Sequence, residues 1–129
     1  MVGVDTNLIV RLLTRDDEPQ FQRAEKVFRQ EQVFIADAVL LETEWILRYA
    51  YGFGCKEIGR AFDRLLGLAN VHVRDVDTLH RVLELHRQGL DFADAMHIET
   101  SPACSAFLSF DRSFVRRAQG KTERPVRIP

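Results

Sequence analysis

The chain has 129 residues, 46% of them hydrophobic, and a formal net charge of −1, which suits one compact domain with a real core. No apolar run approaches the roughly 20 residues that span a bilayer, and Met1 leads straight into a strand-like segment without a basic n-region or cleavage site. Neither a membrane anchor nor a signal peptide is expected, and a cytoplasmic location follows as the expectation.

Val2 to Val4 reads as a short buried strand, and Leu8, Ile9, Leu12 and Leu13 recur at helical spacing after it. Asp16-Asp17-Glu18-Pro19 marks a helix start. That helix runs to about Gln30 with Phe21, Ala24, Val27 and Phe28 on one face. Val33 to Ile35 is a second strand. Asp37 is placed to cap a long helix to about Tyr51, stopped by Gly52 and Gly54. A second helix from about Lys56 to Leu68 completes a helical hairpin. Val71 to Val73 is a third strand. Asp75 opens a helix that reaches His86 and ends at Gly89, and Asp91 opens another that Pro102 ends. Ala106 to Phe110 is a fourth strand, Arg112 to Ala118 a helix, and Val126 to Ile128 a last edge strand. Strands alternating with helices predict an α/β layer fold with a mostly parallel sheet, in a single domain over 1–129.

Four carboxylates stand out against this pattern. Asp5 and Asp111 close apolar strands, and ligand sites of open parallel sheets lie at strand carboxyl ends. Glu42 and Asp94 sit within apolar helical stretches. An ionised carboxylate beside a core costs several kcal/mol unless a cation or strong donors meet it, so four of them imply a shared positive partner. His and Cys form no cluster to hold a soft metal, which leaves an all-oxygen site for Mg²⁺ or Mn²⁺. Such a site suits phosphodiester hydrolysis, because hard cations lower the pKa of water and neutralise phosphate charge.

Each acid also has a plainer explanation. Asp5, followed by Thr6 and Asn7, and Asp111 are well placed as helix caps. Glu42 shares a face with Ala38, Val39, Trp45 and Ile46, where a buried ion pair with an arginine is the alternative to a ligand role. Glu44 has Arg48 at i+4 and reads as structural. Asp91 and Asp94 share the first turn of one helix, where the dipole favours negative charge. Asp91 is the better cap and a peripheral acid, and Asp94, between Ala93 and Ala95, is the better ligand. The hydroxyl of Ser109 lies on the Asp111 side of its strand and suits a phosphate or water. His72, His80, His86 and His97 read as packed or surface residues. Cys55 and Cys104 are isolated and read as free thiols.

Of 18 basic residues, 15 are Arg. Arg112, Arg116, Arg117, Lys121, Arg124 and Arg127 crowd the C-terminal stretch, which fits either a nucleic-acid rim or a solvated helix face.

Asp5-Thr6-Asn7, Leu40-Leu41-Glu42 with Trp45-Ile46-Leu47-Arg48, Asp91-Phe92-Ala93-Asp94-Ala95 and Ser109-Phe110-Asp111 together closely resemble PIN-domain ribonucleases, in particular the VapC-type toxins of toxin–antitoxin pairs. The resemblance covers nearly the whole chain in length, motif order and spacing. It implies an α/β/α sandwich and an acidic quartet of Asp5, Glu42, Asp94 and Asp111 that binds Mg²⁺ or Mn²⁺ and cuts RNA. Thr6, Asn7, Asp91 and Ser109 would be supporting residues. It also implies a homodimer and an antitoxin partner that occludes the site. Ser109 stands where the family often has Thr, which keeps the hydroxyl. His97 to Pro102 departs from the apolar, alanine-rich helix usual there.

Two other readings compete. One is a non-catalytic binding module that keeps the acids for folding or for an arginine-bearing partner. The other, a phospho-acceptor domain, would need a lysine closing a strand, and Lys26, Lys56 and Lys121 do not. The hairpin from Asp37 to Leu68 carries Trp45, Tyr49, Tyr51, Phe53, Phe62, Leu65, Leu66 and Leu68, more apolar surface than one buried stripe needs. The surplus is expected to serve the homodimer and the antitoxin.

Overall fold

The computed structural model describes residues 1–129. Seven helices alternate with five short strands, and every strand pairing is parallel, as the α/β expectation required. The chain divides into two compact units, Met1–Val76 and Asp77–Pro129.

The first unit holds a three-stranded sheet of β1 (Val2–Gly3), β2 (Val33–Phe34) and β3 (Val71–His72), in that order. Val2 stands opposite Val33, and Val33 opposite Val71. The central strand carries the core, for Val33 and the adjoining Ile35 are fully buried. The strand at Val2 was expected to be buried and is exposed. It is an edge strand in this sheet, paired on one side only.

Four helices surround this sheet's chain. They are α1 (Thr6–Thr14), α2 (Glu18–Gln30), α3 (Asp37–Tyr49) and α4 (Cys55–Leu66). Asp17 caps α2 by accepting from the Gln20 N–H at 3.0 Å, with Pro19 in the first turn, where its missing N–H is harmless. Asp37 does not cap α3 as expected. Ala36 holds that position, and the Asp37 carboxylate instead takes the Arg74 guanidinium at 2.8 Å. Gly52, at φ +69°, supplies the left-handed turn between α3 and α4.

A polar knot ties α1, the following loop and the end of α3 together. Arg11 donates to both oxygens of Asp16 at 3.0 Å, to Tyr51 at 3.1 Å and to Gln20 at 2.6 Å. Tyr51 in turn donates its phenolic O–H to Asp16 at 2.5 Å. That bond and the Arg11 charge hold the Asp16 carboxyl below its ordinary range.

The second unit contains α5 (Val76–Arg87), α6 (Phe92–Glu99), β4 (Phe107–Leu108), α7 (Arg112–Ala118) and β5 (Val126–Arg127). Leu79, Val82, Leu83, Phe92, Met96 and Phe114 build its core. Gly89, at φ +99°, reverses the chain after α5. Buried Glu99 is held by Arg81 at 2.8 Å and approached by Arg124 at 3.9 Å, and Arg124 also donates to the Ile98 carbonyl. The predicted strand from Ala106 to Phe110 shrinks to two residues paired with β5. Phe110 lies beyond the paired residues and is 83% exposed. No helix is long and apolar enough to cross a membrane.

Candidate functional site

Asp5 lies just after β1 and caps α1. One of its oxygens accepts from the Leu8 N–H at 3.0 Å, and its backbone is extended while the next residue turns helical. Thr6 is buried and Asn7 exposed. The cap uses Oδ1 and leaves Oδ2 for another partner.

Glu42 sits on α3, but the apolar stripe it shares does not face the core. Ala38, Glu42, Trp45 and Tyr49 are all exposed, Trp45 at 56% and Tyr49 at 64%. The Trp45 and Tyr49 rings lie 5.0 Å apart, tilted at 48° to each other. The buried face is Leu40, Thr43, Glu44 and Leu47. Glu44 is the buried charge here, 1% exposed, and Arg48 donates to it at 2.7 Å. A helical repeat shows which residues share a face; it does not say which face turns inward.

In the second unit Asp91 caps α6, accepting from the Ala93 and Asp94 N–H groups at 3.0 and 3.3 Å. Asp111 caps α7 through the Phe114 N–H at 2.9 Å. Ser109 does not project a free acceptor into open space. Its Oγ accepts from the Asp111 N–H at 3.0 Å and so fixes the turn that presents that acid. Its own hydroxyl proton remains available for donation.

Asp94 is the electrostatic centre of this unit. Burial, then the charge of Asp91, then that of Asp111 push its carboxyl above the ordinary range, and His97 and Arg117 oppose the push without cancelling it. The structure therefore brings Asp94, Asp91 and Asp111 into one field. His97 is exposed, as the surface reading had it, and its charge opposes the push on Asp94.

None of Asp5, Glu42, Asp94 and Asp111 is in an ion pair, whereas Asp16, Glu18, Glu25, Asp37, Glu44, Glu84 and Glu99 all are. The structure groups no three His, Cys, Asp or Glu side chains as a metal cage. The donor chemistry nevertheless fits a hard cation, being all oxygen and, at Asp94, mutually repulsive. Mg²⁺ in any case keeps several waters and needs few protein ligands.

The C-terminal basic residues divide. Arg124 is drawn into the core beside Glu99, and Lys121 donates to the Gln88 carbonyl at 2.9 Å. Arg112, Arg116, Arg117 and Arg127 remain exposed.

The PIN domain family model matches residues 2–120 and so runs through both units. The helix-rich α/β architecture with parallel strands is the fold class of that family. PIN domains are in general nucleases that bind RNA and use divalent metal ions. Comparison with curated proteins found no significant match.

Proposed function

The chain belongs to the PIN-domain family, and on that premise we propose that it is a Mg²⁺- or Mn²⁺-dependent endoribonuclease acting as the toxin of a toxin–antitoxin pair. The observation that carries the nuclease reading is Asp94, a partly buried carboxylate near Asp91 and Asp111 that joins no ion pair and is raised in pKa despite the opposing charges of His97 and Arg117. Groups perturbed in this way concentrate at functional sites. Asp5, Glu42, Asp94 and Asp111 are the acids assigned to the metal and the reaction. Asn7, Thr6, Ser109 and Asp91 support them, Asp91 and Ser109 by fixing the turns on which Asp94 and Asp111 stand. When bound, the hard cation supplies charge neutralisation at the scissile phosphate and lowers the pKa of water.

The exposed remainder of the hairpin narrows the proposed homodimer surface to Trp45, Tyr49 and Leu68, because Phe62 and Leu65 are buried in the unit itself. An antitoxin would occlude the same protein's site, with both proteins in the cytoplasm. Expression in a bacterial host should arrest growth, and Asp5→Asn at equal soluble level should relieve it. A mutant as toxic as the wild type would contradict the assignment.

Helix capping by Asp5 and Asp111 favours the second reading, a non-catalytic module whose acids serve the fold. Asparagine also caps well, so Asp5→Asn separates the two. It spares the fold in both cases and removes activity only if the carboxylate reacts.

A further inference from the structure

Within the first unit, α1 and α2 enclose a groove of about 480 Å³, a volume typical of ligand sites. Its floor is apolar, from Leu8, Ala24 and Val27, and no carboxylate stands among its lining residues. Arg11 and Gln20 close one end by their 2.6 Å hydrogen bond across the two helices. The short loop makes the helices antiparallel, so Asn7 lies at the other end, near Lys26 and Val27. Asn7 is two residues from Asp5, and Leu8 is the residue whose N–H Asp5 accepts.

Two cations on this lip, Arg23 and Lys26, are exposed and join no ion pair. Their helical neighbours explain why. Arg23 has Pro19, Gln20, Lys26 and Val27 three and four residues away, and Lys26 has Gln22, Arg23, Arg29 and Gln30. Neither set contains an acid. Arg29 on the same helix, by contrast, pairs with Glu25 at 2.9 Å. An unpaired i,i+3 pair of cations beside an apolar floor matches a ligand with repeating negative charge and flat apolar faces.

We propose that this groove is the binding track for the single-stranded RNA substrate. Its phosphates lie on Arg23 and Lys26, a nucleoside packs on Leu8, Ala24 and Val27, and the strand leaves past Asn7 toward Asp5. The inference rests on the ribonuclease reading above. It locates the substrate on one helical pair and assigns Arg23 and Lys26 as binding residues.

The test is fluorescence anisotropy of a short labelled single-stranded RNA with the full chain in EDTA, across a salt series. Each phosphate contact contributes about 0.7 to the slope of log affinity against log salt for single strands. The double variant Arg23→Ala/Lys26→Ala should therefore flatten the slope by about 1.4, which weakens binding about 25-fold at 0.1 M salt relative to 1 M. Arg29→Ala, removing one positive charge of the same helix outside the groove, should leave the slope unchanged. Neither change touches a buried or paired group of the groove, so equal melting temperatures are expected for wild type and double variant. An unchanged slope in the double variant overturns the proposal, as does equal flattening by Arg29→Ala. So does a double variant that loses binding to poly-glutamate and keeps RNA, which would make the groove a site for an acidic polypeptide. Failure of the nuclease reading is separate: RNA binding that depends on Arg23 and Lys26, with no cleavage on adding Mg²⁺ or Mn²⁺, would keep the track and remove the enzyme.

Discussion

Asp94 in the first turn of α6 and Asp111 at the cap of α7 repel each other, and neither is in an ion pair. Burial is the first cause of the raised Asp94 carboxyl and the charge of Asp91 the second, with Asp111 third. Each of the two flanking acids is committed to a helix cap, through the Ala93 and Phe114 N–H groups. The field at Asp94 is thus built into the ends of α6 and α7.

A stability consequence follows from the sign of that shift. With its folded pKa above its unfolded value, Asp94 binds more protons in the native state, so metal-free stability falls as pH rises from the ordinary carboxyl value through the raised one. Asp94→Asn should remove this dependence and raise the melting temperature of the metal-free protein at pH 7. Thermal melts in EDTA across that window, wild type against variant, would show it. A lower melting temperature for the variant at pH 7 would mean that the carboxylate is stabilising.

Metal should reverse the penalty. Ligand that binds only the folded form stabilises it by about 2.7 kcal/mol at a hundredfold excess over its dissociation constant. Mg²⁺ or Mn²⁺ should therefore raise the melting temperature, and Glu42→Gln should reduce the rise. Equal shifts in wild type and Glu42→Gln would place the ion away from Glu42.

Asp16 has the opposite sign. Its pKa is lowered first by the Tyr51 hydroxyl, so its contribution is present above the unfolded carboxyl value and disappears as pH falls through the folded one. Tyr51→Phe should make acid unfolding below the ordinary carboxyl range less steep. A pH titration of the melting temperature, with identical slopes for the two proteins, would rule the contact out as a source of stability.

Burial of Glu44 leads to a larger effect. Arg48→Met leaves that carboxylate inside the protein with its main cation removed, and breaking a buried pair in this way costs about 3–5 kcal/mol. Urea unfolding should show that loss, and the double variant Glu44→Leu/Arg48→Met should recover most of it. A loss below about 1 kcal/mol would class the pair with surface bridges.

The helix starts at Asp17, Asp91 and Asp111 were legible in the sequence because a cap is a local event, settled by a side chain and an N–H within a few residues. Asp94 stands out locally too, as a carboxylate among alanines in the turn that Asp91 caps. The stripe that holds Glu42 is exposed where its apolar neighbours suggested burial, because periodicity groups residues on a face without orienting it, and α3 turns Glu44 inward instead. The strand from Ala106 to Phe110 is shorter than its composition suggested because its length depends on where β5 pairs with β4, with Phe107 opposite Val126. The groove between α1 and α2 needs tertiary packing and had no local signature. Its two unpaired cations did have one, in the absence of any acid three or four residues from Arg23 or Lys26.

Cleavage of single-stranded RNA by the purified protein tests the central claim most directly. The account predicts cleavage with Mg²⁺ or Mn²⁺, none in EDTA, and at least about a 100-fold lower rate for Asp94→Asn, as befits loss of a group acting at the reacting centre. Cleavage that persists in EDTA, or that Asp94→Asn leaves at the wild-type rate, would contradict it.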